Sequence, residues 1–173
     1  ENLPGLDASD HQKPAILLVK HQSTLETFLM PLIMPRPLAY VFKKEILLIP
    51  FFGWGIGRLE MIHIDRKAGK QAFTKVVEQG RELLDKGTWV IMFPEGTRRK
   101  KGLRKKYEAR WHTGAARIAL EAGVPLVPAG ITGTDRLARL GPLRVAYGRP
   151  IELDDLSSLS TADAAQVATD RLQ

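Results

Sequence analysis

At 173 residues the chain has the length of one domain, enough to bury a sizeable core without disulfides or structural metal. It contains no cysteine, which excludes a disulfide framework, a thiolate nucleophile and cysteine-ligated zinc. The formal net charge of +7 favours an anionic partner, whether nucleic acid, an acidic lipid surface or a phosphorylated substrate, without choosing among them.

The first apolar run, Ala15 to Val19, predicts a buried strand. Behind it Ser23-Thr24-Leu25-Glu26 reads as a capping box, so His21 falls in a strand-to-helix turn, where α/β proteins often keep their chemistry. Further strand-like runs follow at Leu38 to Phe42, Met61 to Ile64, Thr88 to Phe93, Leu126 to Ile131 and Leu143 to Tyr147. Phe73, Val76, Val77, Gly80, Leu83 and Leu84 share one helical face, and Gly87 closes that helix. A second helix is expected from about Thr113 to Ala122, with Gly123 at its C′ position and Pro125 blocking extension. Strands alternating with helices predict an α/β layered domain with a largely parallel central sheet flanked by helices.

Two stretches are not ordinary connections. Ile46 to Gly57 is apolar yet broken by Pro50 and by glycines at 53, 55 and 57, which predicts short helical turns that either line an apolar groove or fill the edge of the core. Its 12 residues fall short of the roughly 20 that a transmembrane helix needs, and no segment of the chain is predicted to span a bilayer. Residues 98 to 110 hold eight basic residues and one acidic one, so they lie either in solvent or against an anion.

Phe93 to Arg98 follows the fourth predicted strand. Gly96 permits close backbone approach, the Thr97 hydroxyl and free amides can bond phosphate oxygens, and Arg98 can grip a phosphate through two parallel hydrogen bonds. Taken alone, Pro-Glu-Gly-Thr is equally an ordinary turn. The sequence has no G-x-x-x-x-G-K-[ST], no G-x-S-x-G and no H-E-x-x-H, so a P-loop nucleotidase, an ordinary serine hydrolase and a zinc protease lose their main support. Histidines 11, 21, 63 and 112 lack ligand spacing, and no metal site is expected.

Taken together, His21-Gln22-Ser23-Thr24-Leu25-Glu26 and Phe93-Pro94-Glu95-Gly96-Thr97-Arg98 resemble the H-x-x-x-x-D and F-P-E-G-T-R blocks of the glycerolipid acyltransferase family, typified by the 1-acyl-glycerol-3-phosphate acyltransferases. Gly57 to Arg66 looks like the family's intermediate block, ending in a substrate-binding arginine, and Val127-Pro128-Ala129-Gly130 looks like its fourth. The resemblance covers about residues 14 to 150, with four blocks in order. Two positions depart from the pattern: Glu26 stands for the family's aspartate and is one methylene longer, and His112 stands where many relatives have lysine.

The resemblance implies a glycerolphosphate acyltransferase-like fold and transfer of a fatty acyl group from acyl-CoA or acyl carrier protein to the free hydroxyl of 1-acyl-glycerol-3-phosphate, giving phosphatidic acid. Glycerol-3-phosphate or another lysolipid is the alternative acceptor. His21 would be the general base and Glu26 the carboxylate that fixes its tautomer; Arg66, Glu95, Gly96, Thr97 and Arg98 would hold the phosphate or order its loop. Glu26 has a rival duty at N3 of the capping box, and one carboxylate has oxygens for both. Apolar surface at Ile46 to Gly57 and Phe28 to Met34 would take the acyl chain. The acyl donor is a co-substrate, and neither metal nor redox cofactor is implied. The expected setting is the cytoplasmic face of a membrane, with an anionic surface as partner. The chain is expected to be a single acyltransferase domain over 1–173 that lacks an N-terminal membrane-embedding segment and ends short of its natural C-terminus. A module of another class, binding nucleic acid through the basic run with Tyr107 and Trp111 stacking on bases, or binding lipid without turnover, accounts for the charge but leaves His21, Glu26 and the second block without a reason.

Overall fold

The computed structural model describes residues 13–19, 25–34, 36–93, 113–133 and 142–172. All six predicted strands form, each within one residue of its expected limits: β1 (Ile16–Val19), β2 (Leu38–Lys43), β3 (Ile62–Ile64), β4 (Trp89–Met92), β5 (Leu126–Thr132) and β6 (Arg144–Tyr147). They make one six-stranded sheet in the order β3-β2-β4-β1-β5-β6. The first five strands run parallel and only β6 is antiparallel, against β5. A largely parallel sheet needs cover on both faces, and β1 shows why its run carries no polar residue: all four of its side chains are buried.

Alternate strand residues serve opposite layers. Ile16 and Leu18, with Ala39, Val90 and Leu126, pack on one face beneath α3 (Gly69–Asp85), α4 (Gly114–Ala122) and α5 (Thr161–Asp170). Leu17, Val19, Tyr40, Trp89, Ile91 and Val127 point to the other, where Met30 of α1 (Leu25–Ile33) and Met34 close the layer. Burying side chains of this size contributes about 1.5–3 kcal/mol each, so the central strands supply much of the folding drive.

The predicted helix stops hold. Gly87 and Gly123 both take positive φ, 81° and 62°, which costs a glycine little, and the Gly123 N–H bonds back to the last turn of α4. The broken apolar stretch forms short turns as expected: a 3₁₀ helix at Lys44–Leu48 and then α2 (Phe52–Ile56).

Candidate active site

β1 and β4 are adjacent parallel strands, with Leu17 opposite Ile91 and Leu18 opposite Met92. Their carboxyl ends therefore leave the sheet side by side, one leading into the block from residue 21 and the other into the block from residue 93. Chain order reverses here, since β1 is followed by β2 on the far side of β4, and β5 lies on the opposite flank of β1. A crevice at such a switch point, outside the carboxyl ends of parallel strands, is where open α/β sheets hold ligands.

Not every predicted residue is placed. His21, Glu95, Gly96, Thr97 and Arg98 lie outside the described residues, as do Ser23 of the capping box, the basic run 98–110 and His112. Glu26 is placed in the first turn of α1 and is completely buried, with 0% of its surface exposed. A carboxylate at a helix start ordinarily faces water, and burying one is costly unless its charge is compensated. The backbone of Arg66 opens a 3₁₀ turn, Arg66–Ala68, two residues past β3, at the same edge of the sheet as the other blocks. Asp65 fixes that turn: its side chain accepts a 3.0 Å hydrogen bond from the Lys67 N–H and lies 3.6 Å from the Lys44 ammonium, which ties the end of β3 to the end of β2.

Tyr40 is a site residue that reading the sequence missed. Its buried hydroxyl donates to the backbone carbonyl oxygen of Glu26 at 3.3 Å, and its ring stacks on Phe93, the first residue of the second block, with centroids 6.3 Å apart. One β2 side chain thus touches both blocks. Burial, and then the negative charge of Glu26, push the Tyr40 phenol well above its ordinary range, so it remains a donor at any physiological pH. Nothing in the local pattern marks it, because an aromatic in a strand reads simply as core.

The apolar stretch at residues 46–57 does not fill the edge of the core. Leu48, Phe51 and Trp54 stand out from the molecule, 81%, 82% and 60% exposed, and on α1 Phe28 and Leu32 are exposed while Met30 is buried. Among the described residues, no cluster of three or more His, Cys, Asp or Glu could hold a metal ion, and no helix is long and apolar enough to cross a membrane.

The family model for the acyltransferases matches residues 2–132. A 1-acyl-sn-glycerol-3-phosphate acyltransferase of Pseudomonas aeruginosa is 42% identical over 128 residues, which are 74% of this chain and 45% of that protein. One of the same name from Cocos nucifera is 32% identical over 148 residues, 82% of this chain and 47% of that protein. The chain spans about half the length of these curated relatives. The crystal structure of the 1-acyl-sn-glycerophosphate (LPA) acyltransferase PlsC from Thermotoga maritima superposes with a TM-score of 0.66 at 21% identity, covering 99% of this chain and 69% of that one, and so shares the fold. The matched region holds both blocks and all the strands that carry them to one edge: the chain belongs to the acyltransferase family.

Proposed function

We propose that this chain transfers a fatty acyl group from acyl-CoA or acyl carrier protein to the free hydroxyl of 1-acyl-glycerol-3-phosphate, giving phosphatidic acid. The observation that supports this reading is the parallel pairing of β1 with β4, the strands from whose carboxyl ends the chain runs on into the two motif blocks, together with the burial of Glu26 of the first block. The names of the relatives support the acceptor.

In this reaction the acceptor oxygen attacks the thioester carbonyl while His21 takes the hydroxyl proton. The tetrahedral intermediate collapses to the ester, and the departing thiolate recovers that proton from the imidazolium. An imidazole with an ordinary pKa of about 6.5 is suited to both steps if its other nitrogen donates to a carboxylate. Glu26 is that carboxylate; its burial keeps water from competing for it. Arg66, Gly96, Thr97 and Arg98 hold the acceptor phosphate, and Glu95 orders their loop. The chemistry calls for no metal or redox cofactor. The working location is the cytoplasmic face of a membrane, where the acceptor resides.

The test is thiol release from a long-chain acyl-CoA with lysophosphatidic acid in detergent or liposomes, comparing the chain with His21→Ala at matched folding. Loss of about 10²- to 10⁴-fold in turnover is expected for a general base. Equal turnover in the two proteins would remove His21 from the mechanism. Activity that appears only with glycerol-3-phosphate would move the acceptor to the alternative.

A further inference from the structure

We propose that the elbow from Lys44 to Ile56 is an interfacial anchor that seats this chain on an anionic phospholipid surface, with Leu48, Phe51 and Trp54 entering the boundary between headgroups and acyl chains.

The elbow is built to hold these side chains outward. Phe51 takes φ 61° and ψ −55°, a conformation bulky residues avoid, and it is the centre of a γ-turn in which the Phe52 N–H donates to the Pro50 carbonyl at 2.7 Å. The Gly53 N–H then bonds the Ile49 carbonyl at 2.7 Å, and α2 folds so closely on the preceding 3₁₀ helix that a Cβ at Gly53 would strike the backbone oxygens of Ile46 and Leu47. The Phe51 and Trp54 rings lie 5.2 Å apart, making one aromatic tip. Despite this ordered backbone, Phe51 is 82% exposed and Leu48 81% exposed, with Ile49 and Phe52 exposed beside them. Several large apolar side chains gathered on one exposed segment mark an interaction site rather than ordinary surface.

Composition and charge favour lipid as the occupant. Trp, Phe and Leu on a segment that opens with the exposed Lys43 and Lys44, the latter 3.6 Å from Asp65 and followed by the exposed Glu45, suit a membrane interface, with apolar tips in the acyl boundary and the Lys43 ammonium free to meet the phosphates. A net charge of +7 attracts the chain to an anionic surface. The five residues of α2 are far too few to span a bilayer, so the segment lies in the interface. Lys44 directly follows β2, so the elbow springs from the sheet edge that carries the candidate site. On the proposed function, docking there would turn the site toward the surface that holds its lipid acceptor.

The experiment is flotation of the full chain with vesicles of phosphatidylcholine containing phosphatidylglycerol, against Leu48→Ser/Phe51→Gly/Trp54→Ser; glycine takes positive φ without a Cβ clash, so the turn is retained. Partitioning is expected to fall at least 10-fold in the triple variant at unchanged melting temperature, and brominated lipids are expected to quench the wild-type emission but not that of Trp54→Phe. Unchanged partitioning would overturn the anchor. So would a dimer that the triple variant dissociates, assigning the face to a second copy, or a Trp54 shielded from iodide in the free protein, assigning it to another part of the chain. Acyl transfer to a short-chain lysophosphatidic acid below its micellar concentration is measured in parallel. Lost partitioning with no turnover in either protein upholds the anchor while removing the proposed chemistry; turnover with unchanged partitioning does the reverse.

Discussion

Glu26 carries two possible duties that one substitution separates. Glutamine serves a capping box as well as glutamate does, but it cannot stabilise an imidazolium by charge. Glu26→Gln is therefore expected to lower turnover on the order of 10²-fold or more while the melting temperature holds. A purely structural role predicts the opposite pair: rate kept and, on replacement by alanine, stability lower by about 1 kcal/mol. Tyr40→Phe removes the hydrogen bond that pins the Glu26 carbonyl while keeping the ring on Phe93. Its expected cost is about 1 kcal/mol in urea denaturation, with a fall in kcat if the position of α1 matters to the base. Both buried tyrosines also govern the alkaline limit. Their folded pKa values lie above the unfolded value of 10.0, Tyr147 being pushed up to about 12 by burial. The folded state thus binds the proton more tightly than the unfolded one. The stability this contributes is complete below pH 10 and is lost as pH rises, through about 12 in the case of Tyr147. Urea midpoints are expected to be insensitive to these groups below pH 10 and to fall above it, less steeply in Tyr147→Phe.

Packing between elements explains several residues whose type alone is ambiguous. Gly80 is in the interior of α3, where glycine weakens a helix by about 1 kcal/mol relative to alanine. Its place is explained by α4: a Cβ there would lie 3.1 Å from Cγ2 of the fully buried Ile118. Gly80→Val adds more than that contact can absorb and is expected to destabilise the protein by about 1–3 kcal/mol in chemical denaturation. α5 carries a weaker signal in the sequence than α3 does. Its start is marked by Ser160, whose hydroxyl accepts from the Asp163 N–H at 3.2 Å, and its buried face consists of Ala164, Ala165, Ala168 and Thr169. Alanine is too weakly apolar to make a periodic signal, whereas Val76, Val77, Leu83 and Leu84 made α3 plain. Ser160→Ala is expected to cost about 1 kcal/mol of thermal stability. The elbow's short turns are legible from Pro50 and its glycines, but its outward face is not. An apolar run is ordinarily taken as interior, and only tertiary structure reveals that Phe51 and Trp54 face outward, held there at a backbone cost of about 1–3 kcal/mol for the positive φ of Phe51.

For the molecule as a whole, strand identities were readable from composition, but their order was not. Nothing local in Leu38 to Lys43 announces that β2 leaves a gap beside β1 for a strand made almost fifty residues later. The two motif blocks, likewise, were recognisable as sequence, while the neighbourhood that joins them, and Tyr40 between them, exists only once the sheet is ordered. That gap has a consequence in time. As the chain grows, β1 and β2 have no direct partner in each other, and β3 can pair only with β2, so the first half has strands but no continuous sheet. A chain ending at residue 87 is accordingly expected to show no cooperative urea transition by near-ultraviolet circular dichroism. Insertion of β4 bonds β1 to β2 and, in the same event, sets Met92 near the carboxyl end of β4 opposite Leu18 of β1. No chain that stops short of β4 can set the ends of β1 and β4 side by side, so the strand that joins the two halves of the sheet is also the one on which the candidate site waits, while β5, α4 and α5 are still to come.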